Sequence, residues 1–253
     1  MRASTRPGAL GLCISLEVLR FLVILAALAI APLFGITGWY MGLFANVLCV
    51  VYAIVIVSVL GLWRDQGVLR LWRSPWAALW LLPFVVEALI WLVHPGGFSM
   101  QPPGILLWSL TRLFVGVNEE LVNRVAVLGT LRRAFSPVPS AVLSGALFGL
   151  AHLSLLVTTP GRATDDVLLN VLASATYGFA LAASQLRFRW LLPLVFIHAT
   201  ADMTVIMTGG QVPLWTDIAI HGGFVVLGVL LLRSPGHGVD PAPDAAAANA
   251  GQR

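Results

Sequence analysis

Long apolar stretches alternate along the chain with short segments that contain Pro, Gly and Arg. A helix that crosses a bilayer needs about 20 predominantly apolar residues, and eight stretches meet that requirement. The pattern therefore predicts an all-α fold, a polytopic bundle of about eight transmembrane helices. The predicted spans are about Leu16–Phe34, Tyr40–Trp63, Trp76–His94, Ile105–Leu131, Val138–Val157, Val167–Leu186, Leu191–Met207 and Leu214–Leu232.

Composition supports an integral membrane protein. The 253 residues are 58% hydrophobic and 10% charged, with a mean hydropathy of +0.91, whereas soluble domains contain about 25% charged residues. A pI near 9.8 could indicate a nucleic-acid partner, but the basic residues are all Arg and are dispersed, so none is expected. The absence of Lys beside abundant Ala and Gly indicates a bacterial source, and hence the cytoplasmic membrane.

The arginines orient the predicted bundle. The connections that follow odd-numbered spans contain a single arginine, Arg162. The other loop arginines lie at the two ends of the chain and in the connections that follow even-numbered spans. Since positive residues concentrate on the cytoplasmic side, both termini are expected to be cytoplasmic. These cytoplasmic residues are Arg2, Arg6, Arg64, Arg70, Arg73, Arg132, Arg133, Arg187, Arg189, Arg233 and Arg253.

The predicted spans belong to one domain, residues 1–233. Residues 234–253 are rich in Pro, Ala and Gly without an apolar period, so we expect a disordered tail. An alternative for residues 1–31 is a cleaved signal peptide, although Glu17, Arg20 and the length of the apolar run favour a retained span. Glu17 and Arg20 lie three positions apart near the predicted inner end of that span, and we interpret them as a structural pair.

The fourth span contains the most ionisable residues. Glu119 and Asn123 lie four positions apart on a polar stripe, and Glu120 and Arg124 form a neighbouring stripe. Glu followed by Arg at this spacing is the favourable order for an ion pair. Glu120 thus has a predicted cationic partner, whereas Glu119 has only the amide of Asn123. Charge at this depth costs about 2.5–3.5 kcal/mol or more per group, so Glu119 is the better candidate for a general base.

Two later spans place histidines at a similar depth. His152 lies in the fifth span, and His198 lies four positions before Asp202 in the seventh. A helical rise of 1.5 Å per residue puts these groups and Glu119 roughly 13–22 Å from the inner edge. One site near the middle of the membrane is therefore predicted.

Several kinds of chemistry fit Glu beside two His. Carboxylate and imidazole also bind Zn²⁺, but the metalloprotease motif H-E-x-x-H is absent, as is the G-x-S-x-G motif of serine hydrolases. Metal and cofactor are accordingly not expected. The remaining interpretation is a water molecule activated directly for peptide hydrolysis.

Three motifs occur in order along the chain: "EELVNR", "FGLAH" and "HATAD". They resemble the E-E-x-x-x-R, F-x-x-x-H and H-x-x-x-D pattern of the CPBP family (CAAX proteases and bacteriocin-processing enzymes, also called Abi), which includes the type II CAAX prenyl endopeptidases. The resemblance covers about residues 105–207. It implies a metal-free, glutamate-type intramembrane endopeptidase in which Glu119 and His152 activate water while His198 and Asp202 stabilise the oxyanion.

The last motif departs from the CAAX-cleaving pattern, which has Asn where this chain has Asp202. An ionised Asp cannot donate a hydrogen bond. Asp202 must therefore be protonated in order to donate, or it instead orients His198.

Three functions remain open from the sequence. The first is an endopeptidase that processes a membrane-associated polypeptide at its C-terminal end or leader. A catalytically silent relative, acting as an immunity factor or scaffold, is the second. A proton-coupled transporter is the third, since intramembrane Glu, His and Asp also form proton relays, but the internal repeats common in transporters are not evident.

Overall fold

The computed structural model describes residues 5–64, 66–93, 97–99, 101–208 and 213–233. Within these ranges the chain is helical and contains no strand. His94, the predicted end of the third span, and residues 234–253, the predicted tail, lie outside them. The helices are α1 (Arg6–Ile30), α2 (Trp39–Val59), α3 (Pro75–Leu79), α4 (Leu82–Ile90), α5 (Ile105–Glu120), α6 (Leu128–Arg132), α7 (Pro137–Ala151), α8 (Leu155–Thr158), α9 (Thr164–Phe188), α10 (Leu191–Thr208) and α11 (Leu214–Arg233).

Seven helical segments among the described residues are long and apolar enough to cross a membrane. They correspond to seven of the eight predicted spans, which confirms the polytopic helical bundle. The fourth predicted span is also helical throughout, from Ile105 to Arg132, but it contains Arg112, Glu119, Glu120 and Arg124 and is not one of the seven. These charges turn inward, and the second half of this segment is buried by the other helices.

The first helix begins well before the predicted start at Leu16. Thr5 caps it, because its Oγ1 accepts a hydrogen bond from the Gly8 N–H at 3.3 Å, and Pro7 occupies the first turn. The helix therefore starts at Arg6, which moves Glu17 and Arg20 from near one end to its middle.

The predicted pairing of Glu17 with Arg20 is present, with Nη1 of Arg20 lying 3.8 Å from Oε2 of Glu17. Both side chains are only 9% exposed, so they lie inside the bundle. Their predicted placement near the end of the span is wrong, because the helix begins ten residues earlier than its apolar pattern indicated.

A π-helical turn, Leu121–Val127, joins α5 to α6 directly after the two glutamates. Such turns contain an extra residue per turn and occur frequently at functional sites. Every residue of this turn is buried, and the predicted spacing, which assumed regular α-helix, did not include it.

Glycines allow the site helices to approach closely. A Cβ added at Gly116 in α5 would lie 2.7 Å from the Val195 carbonyl oxygen of α10, and one at Gly149 in α7 would lie 2.5 Å from the Val171 oxygen of α9. Small residues at such crossings are typical of membrane bundles. They bring the polar residues of α5, α7 and α10 within reach of one another.

Candidate active site

The four residues predicted to be catalytic line one cavity of about 920 Å³. Glu119 comes from the last turn of α5, His152 from the end of α7, and His198 and Asp202 from successive turns of α10. The structure thus brings together side chains that lie far apart in the sequence. The cavity also has an apolar wall, to which Val18, Phe21, Ile24, Leu147 and Leu150 contribute.

Glu119 has a cationic partner that its own helix does not provide. Nη2 of Arg20 donates to Oε1 of Glu119 at 2.5 Å, and Nε of Arg20 donates to Oδ1 of Asn118 at 3.0 Å. The second carboxylate oxygen of Glu119 lies 3.6 Å from Nε2 of His198. Glu119 is therefore held between α1 and α10, with one oxygen turned towards an imidazole.

Asn123 does not contact the Glu119 carboxylate, contrary to the sequence-based interpretation. Its Nδ2 donates to the Glu119 main-chain carbonyl at 3.0 Å, and its Oδ1 has no hydrogen-bond partner. An amide one turn further along can reach the free carbonyl lone pair of its own helix. Asn123 supports the backbone beneath Glu119 rather than its side chain.

Glu120 connects Arg124 with His198 in the bundle interior. The predicted ion pair is present, with Nε of Arg124 donating to Oε2 of Glu120 at 3.0 Å, and both side chains are 0% exposed. Oε1 of Glu120 lies 2.8 Å from Nδ1 of His198. The Arg124 guanidinium also packs over the Phe148 ring at 4.7 Å. This buried network fixes the His198 ring and directs its Nε2 towards Glu119.

His152 occupies the C-terminal end of α7, where a short 3-10 turn, His152–Ser154, begins. Its Nδ1 lies 2.9 Å from the Phe148 carbonyl oxygen, so Nδ1 is the donor and the neutral ring has its lone pair on Nε2. Phe148 packs edge-on against both His152 and His198, with centroid distances of 5.0 and 5.9 Å. One aromatic ring therefore holds the two imidazoles apart on the cavity wall.

Asp202 forms an ion pair with Arg112, whose Nη1 lies 3.3 Å from Oδ2. Its other oxygen is 4.0 Å from Nε2 of His198, too far for a hydrogen bond. Asp202 is thus closer to Arg112 than to His198, and the hydrogen bond that holds the His198 ring goes to Glu120.

The sequence indicated neither Arg20 nor Arg112 as a partner of the site. Arg20 lies 99 positions from Glu119 and Arg112 lies 90 positions from Asp202, so no local spacing links them. For Arg20, the sequence contained one signal: Thr5 and Pro7 mark the N-terminal end of α1, and a helix that begins there places Arg20 near its middle. No group of three His, Cys, Asp or Glu suited to a metal ion was found among the residues that the structure describes.

Comparison with known proteins found one family match. Residues 101–204 match the family model of type II CAAX prenyl endopeptidase Rce1-like proteins, a segment that contains Glu119, His152, His198 and Asp202. No curated protein and no solved structure showed a significant match to the chain. The family match confirms the resemblance seen in the three motifs. The part of the chain that contains these four residues is therefore similar to type II CAAX prenyl endopeptidase Rce1-like proteins.

Proposed function

We propose that this protein is an intramembrane endopeptidase that hydrolyses a peptide bond in a membrane-associated polypeptide with a water molecule activated by Glu119 and His152. The observation behind the proposal is the convergence of Glu119, His152 and His198 on one cavity inside a polytopic membrane bundle. The family match supports the peptidase class. Many ionisable groups lie at bilayer depth in this protein. The cost of placing them there is reduced because the helices enclose the site and most of its charges are paired.

The hydrolytic water would lie between the Glu119 carboxylate and Nε2 of His152. Glu119 takes one water proton while the water oxygen attacks the carbonyl carbon, forming a C–O bond and moving the carbonyl π electrons to oxygen. When the tetrahedral intermediate collapses, the C–N bond breaks and the proton passes to the leaving amine. The C=O bond re-forms as the C–N bond breaks, and the new carboxylic acid gives its proton to the amine, so the products are a carboxylate and an ammonium group.

The developing oxyanion requires donors that are already in position. Glu120 accepts from Nδ1 of His198, which leaves Nε2 directed into the cavity as a donor when the ring is protonated. Arg112 lines the same cavity, and Asp202 holds its guanidinium. We assign the oxyanion to His198 with Arg112, and Asp202 acts through Arg112. This arrangement explains how Asp can replace the Asn of CAAX-cleaving relatives.

The proposal is tested by comparing membranes that contain the wild type, Glu119→Gln or His152→Ala. A membrane-associated polypeptide should be shortened only with the wild type, as read by mass spectrometry of the membrane proteome. Processing that continues unchanged in both variants would exclude the endopeptidase and favour a silent immunity or scaffold role. Localisation to the bacterial cytoplasmic membrane is part of the proposal, and membrane fractionation checks it.

Peptide hydrolysis is expected to survive complete metal removal. All steps above use side chains of the chain, so overnight incubation with EDTA or 1,10-phenanthroline should leave the rate within about twofold of its initial value, since loss of a catalytic metal would cost several kcal/mol of transition-state stabilisation. The measurement is the initial rate of polypeptide cleavage in lipid nanodiscs. Inhibition that added Zn²⁺ reverses would overturn the metal-free mechanism.

Arg20 is expected to act as a positioning residue for Glu119. Arg20→Gln removes the donor that holds Oε1, and misplacement of a catalytic group costs up to about 10²-fold in rate. We expect the loss in kcat with KM little changed, and partial recovery in Arg20→Lys, which retains a cation. A KM increase without a kcat change would instead assign Arg20 to substrate binding.

A further inference from the structure

A second cavity, of about 600 Å³, adjoins the candidate active site. It shares part of its wall with the first cavity, so the two meet at the imidazoles. The shared residues are His152, Arg162, Asn170, His198, Asp202 and Val205. A polypeptide whose scissile bond lies at His152 and His198 would extend into one cavity on each side of that bond.

Three side chains that line the second cavity have a buried oxygen without a hydrogen-bond partner among the described residues: Oε2 of Glu87, Oδ1 of Asn170 and the Tyr177 hydroxyl. Tyr177 is only 9% exposed, and its ring packs edge-on against His198 at 5.8 Å between centroids. A buried polar atom without a partner costs about 1–3 kcal/mol. Three of them in one cavity indicate a ligand group that donates hydrogen bonds, because the Asn170 amide oxygen only accepts, and so does the Glu87 carboxylate when it is ionised.

Glu87 differs from the other carboxylates around this cavity. The others have a cationic partner or a partner that can become one: Asp166 with Arg162 at 2.7 Å, Asp202 with Arg112 at 3.3 Å, and Asp217 with His221 at 3.5 Å. Glu87 accepts only a long hydrogen bond, 3.4 Å, from Nε1 of Trp91, and no Arg or His in the described part of the chain forms an ion pair with it. Its position in α4 makes an unpaired carboxylate costly.

We propose that the second cavity is a substrate subsite that binds the ammonium or guanidinium group of a basic residue close to the scissile bond. Glu87 provides the counter-charge, and Asn170 and Tyr177 provide further acceptors. The first cavity, with its apolar wall, receives an apolar part of the same polypeptide. A basic residue next to an apolar segment is common in membrane-associated polypeptides, because Lys and Arg flank their apolar segments at the interface. The inference extends the proposed endopeptidase function and rests on it, because the bound polypeptide is a substrate only if the protein cleaves it.

A pool of acylated peptides tests the specificity. Each peptide has one variable position, occupied by Lys, norleucine or Glu, at successive distances from an apolar segment, and cleavage by the protein in nanodiscs is read by mass spectrometry. At one position on one side of the cleaved bond, Lys should be preferred over norleucine by about 10- to 100-fold. This preference corresponds to the usual contribution of a hydrogen bond to a charged group. Glu87→Gln should lose that preference and still cleave the norleucine peptides. Asp165→Asn, a matched change at an exposed carboxylate, should retain it.

A binding measurement separates this subsite from the catalytic proposal. Millimolar n-butylguanidinium, compared with neutral n-butylurea, should raise the melting temperature of the wild type and of Glu119→Gln, but not that of Glu87→Gln. This result would support the subsite even if no peptide in the pool were cleaved, an outcome that counts against the proposed function alone. Equal stabilisation of Glu87→Gln, no stabilisation of any form, or an unchanged Lys preference in Glu87→Gln would overturn the subsite.

Discussion

Glu119→Gln is expected to reduce the rate of peptide hydrolysis by about 10²–10⁴-fold, the usual contribution of a positioned general base. The amide retains the size of the side chain but cannot take a proton from water. Its oxygen still accepts the hydrogen bond from Nη2 of Arg20, so the geometry of the site is preserved. The rate is measured with a cleaved polypeptide identified from native membranes, offered to purified protein in nanodiscs.

Two controls separate lost chemistry from lost structure. Asp165→Asn makes the same chemical change at an exposed carboxylate in the first turn of α9 and should leave the rate unchanged. Arg20→Gln combined with Glu119→Gln removes both partners of the ion pair and should be as slow as Glu119→Gln alone, because the base is absent in both. A Glu119→Gln protein with more than a tenth of the wild-type rate would contradict the assignment of Glu119 as the base, since about tenfold is below the range for this kind of catalysis.

The sequence predicted the parts of this site that depend on local spacing. Glu120 and Arg124 lie one turn apart on a single helix, and their ion pair is present as expected. Depth along each span was also readable, because a helix advances by a fixed rise per residue. That regularity brought Glu119, His152 and His198 to one level before any tertiary contact was known, and all three line one cavity in the structure.

Pairings between distant helices could not be read in the same way. Arg112 contacts Asp202, and this contact depends on how α5 is rotated against α10 where Gly116 meets Val195. Arg20 was assigned to the membrane boundary because the start of α1 was placed too late. The contact of Glu120 with the His198 ring was not predicted for a related reason, since Glu120 approaches the ring from another helix.

The family match and the site do not have the same extent. The match begins at residue 101, whereas Arg20 on α1 reaches into the site from outside it and holds Glu119. Glu87 on α4, also outside the match, lines the second cavity. The proposed hydrolytic residues thus belong to the family segment, while the helices before it add a positioning group and a candidate determinant of specificity.

Removal of Arg124 is expected to cause the largest loss of stability. Its guanidinium is fully buried and pairs with Glu120, so Arg124→Ala leaves a buried carboxylate without its cation, a loss of about 3–5 kcal/mol in unfolding free energy. The comparison is Arg162→Ala, which breaks an ion pair of the same i,i+4 spacing between partly exposed side chains and should cost about 1 kcal/mol or less. Unfolding is followed by denaturant titration of the detergent-solubilised protein.

Neutralising both partners distinguishes an uncompensated charge from lost packing. Glu120→Gln combined with Arg124→Leu retains most of the buried volume and removes both charges, and such replacements are often close to neutral. The double variant should therefore be more stable than Arg124→Leu alone, which retains the same volume but leaves the Glu120 carboxylate unpaired. It should nevertheless be slow in hydrolysis, because a neutral amide at position 120 cannot act as the charged acceptor that holds Nδ1 of His198. Equal stability of the double variant and Arg124→Leu would mean that lost packing around Phe148, rather than an uncompensated charge, destabilises Arg124→Ala.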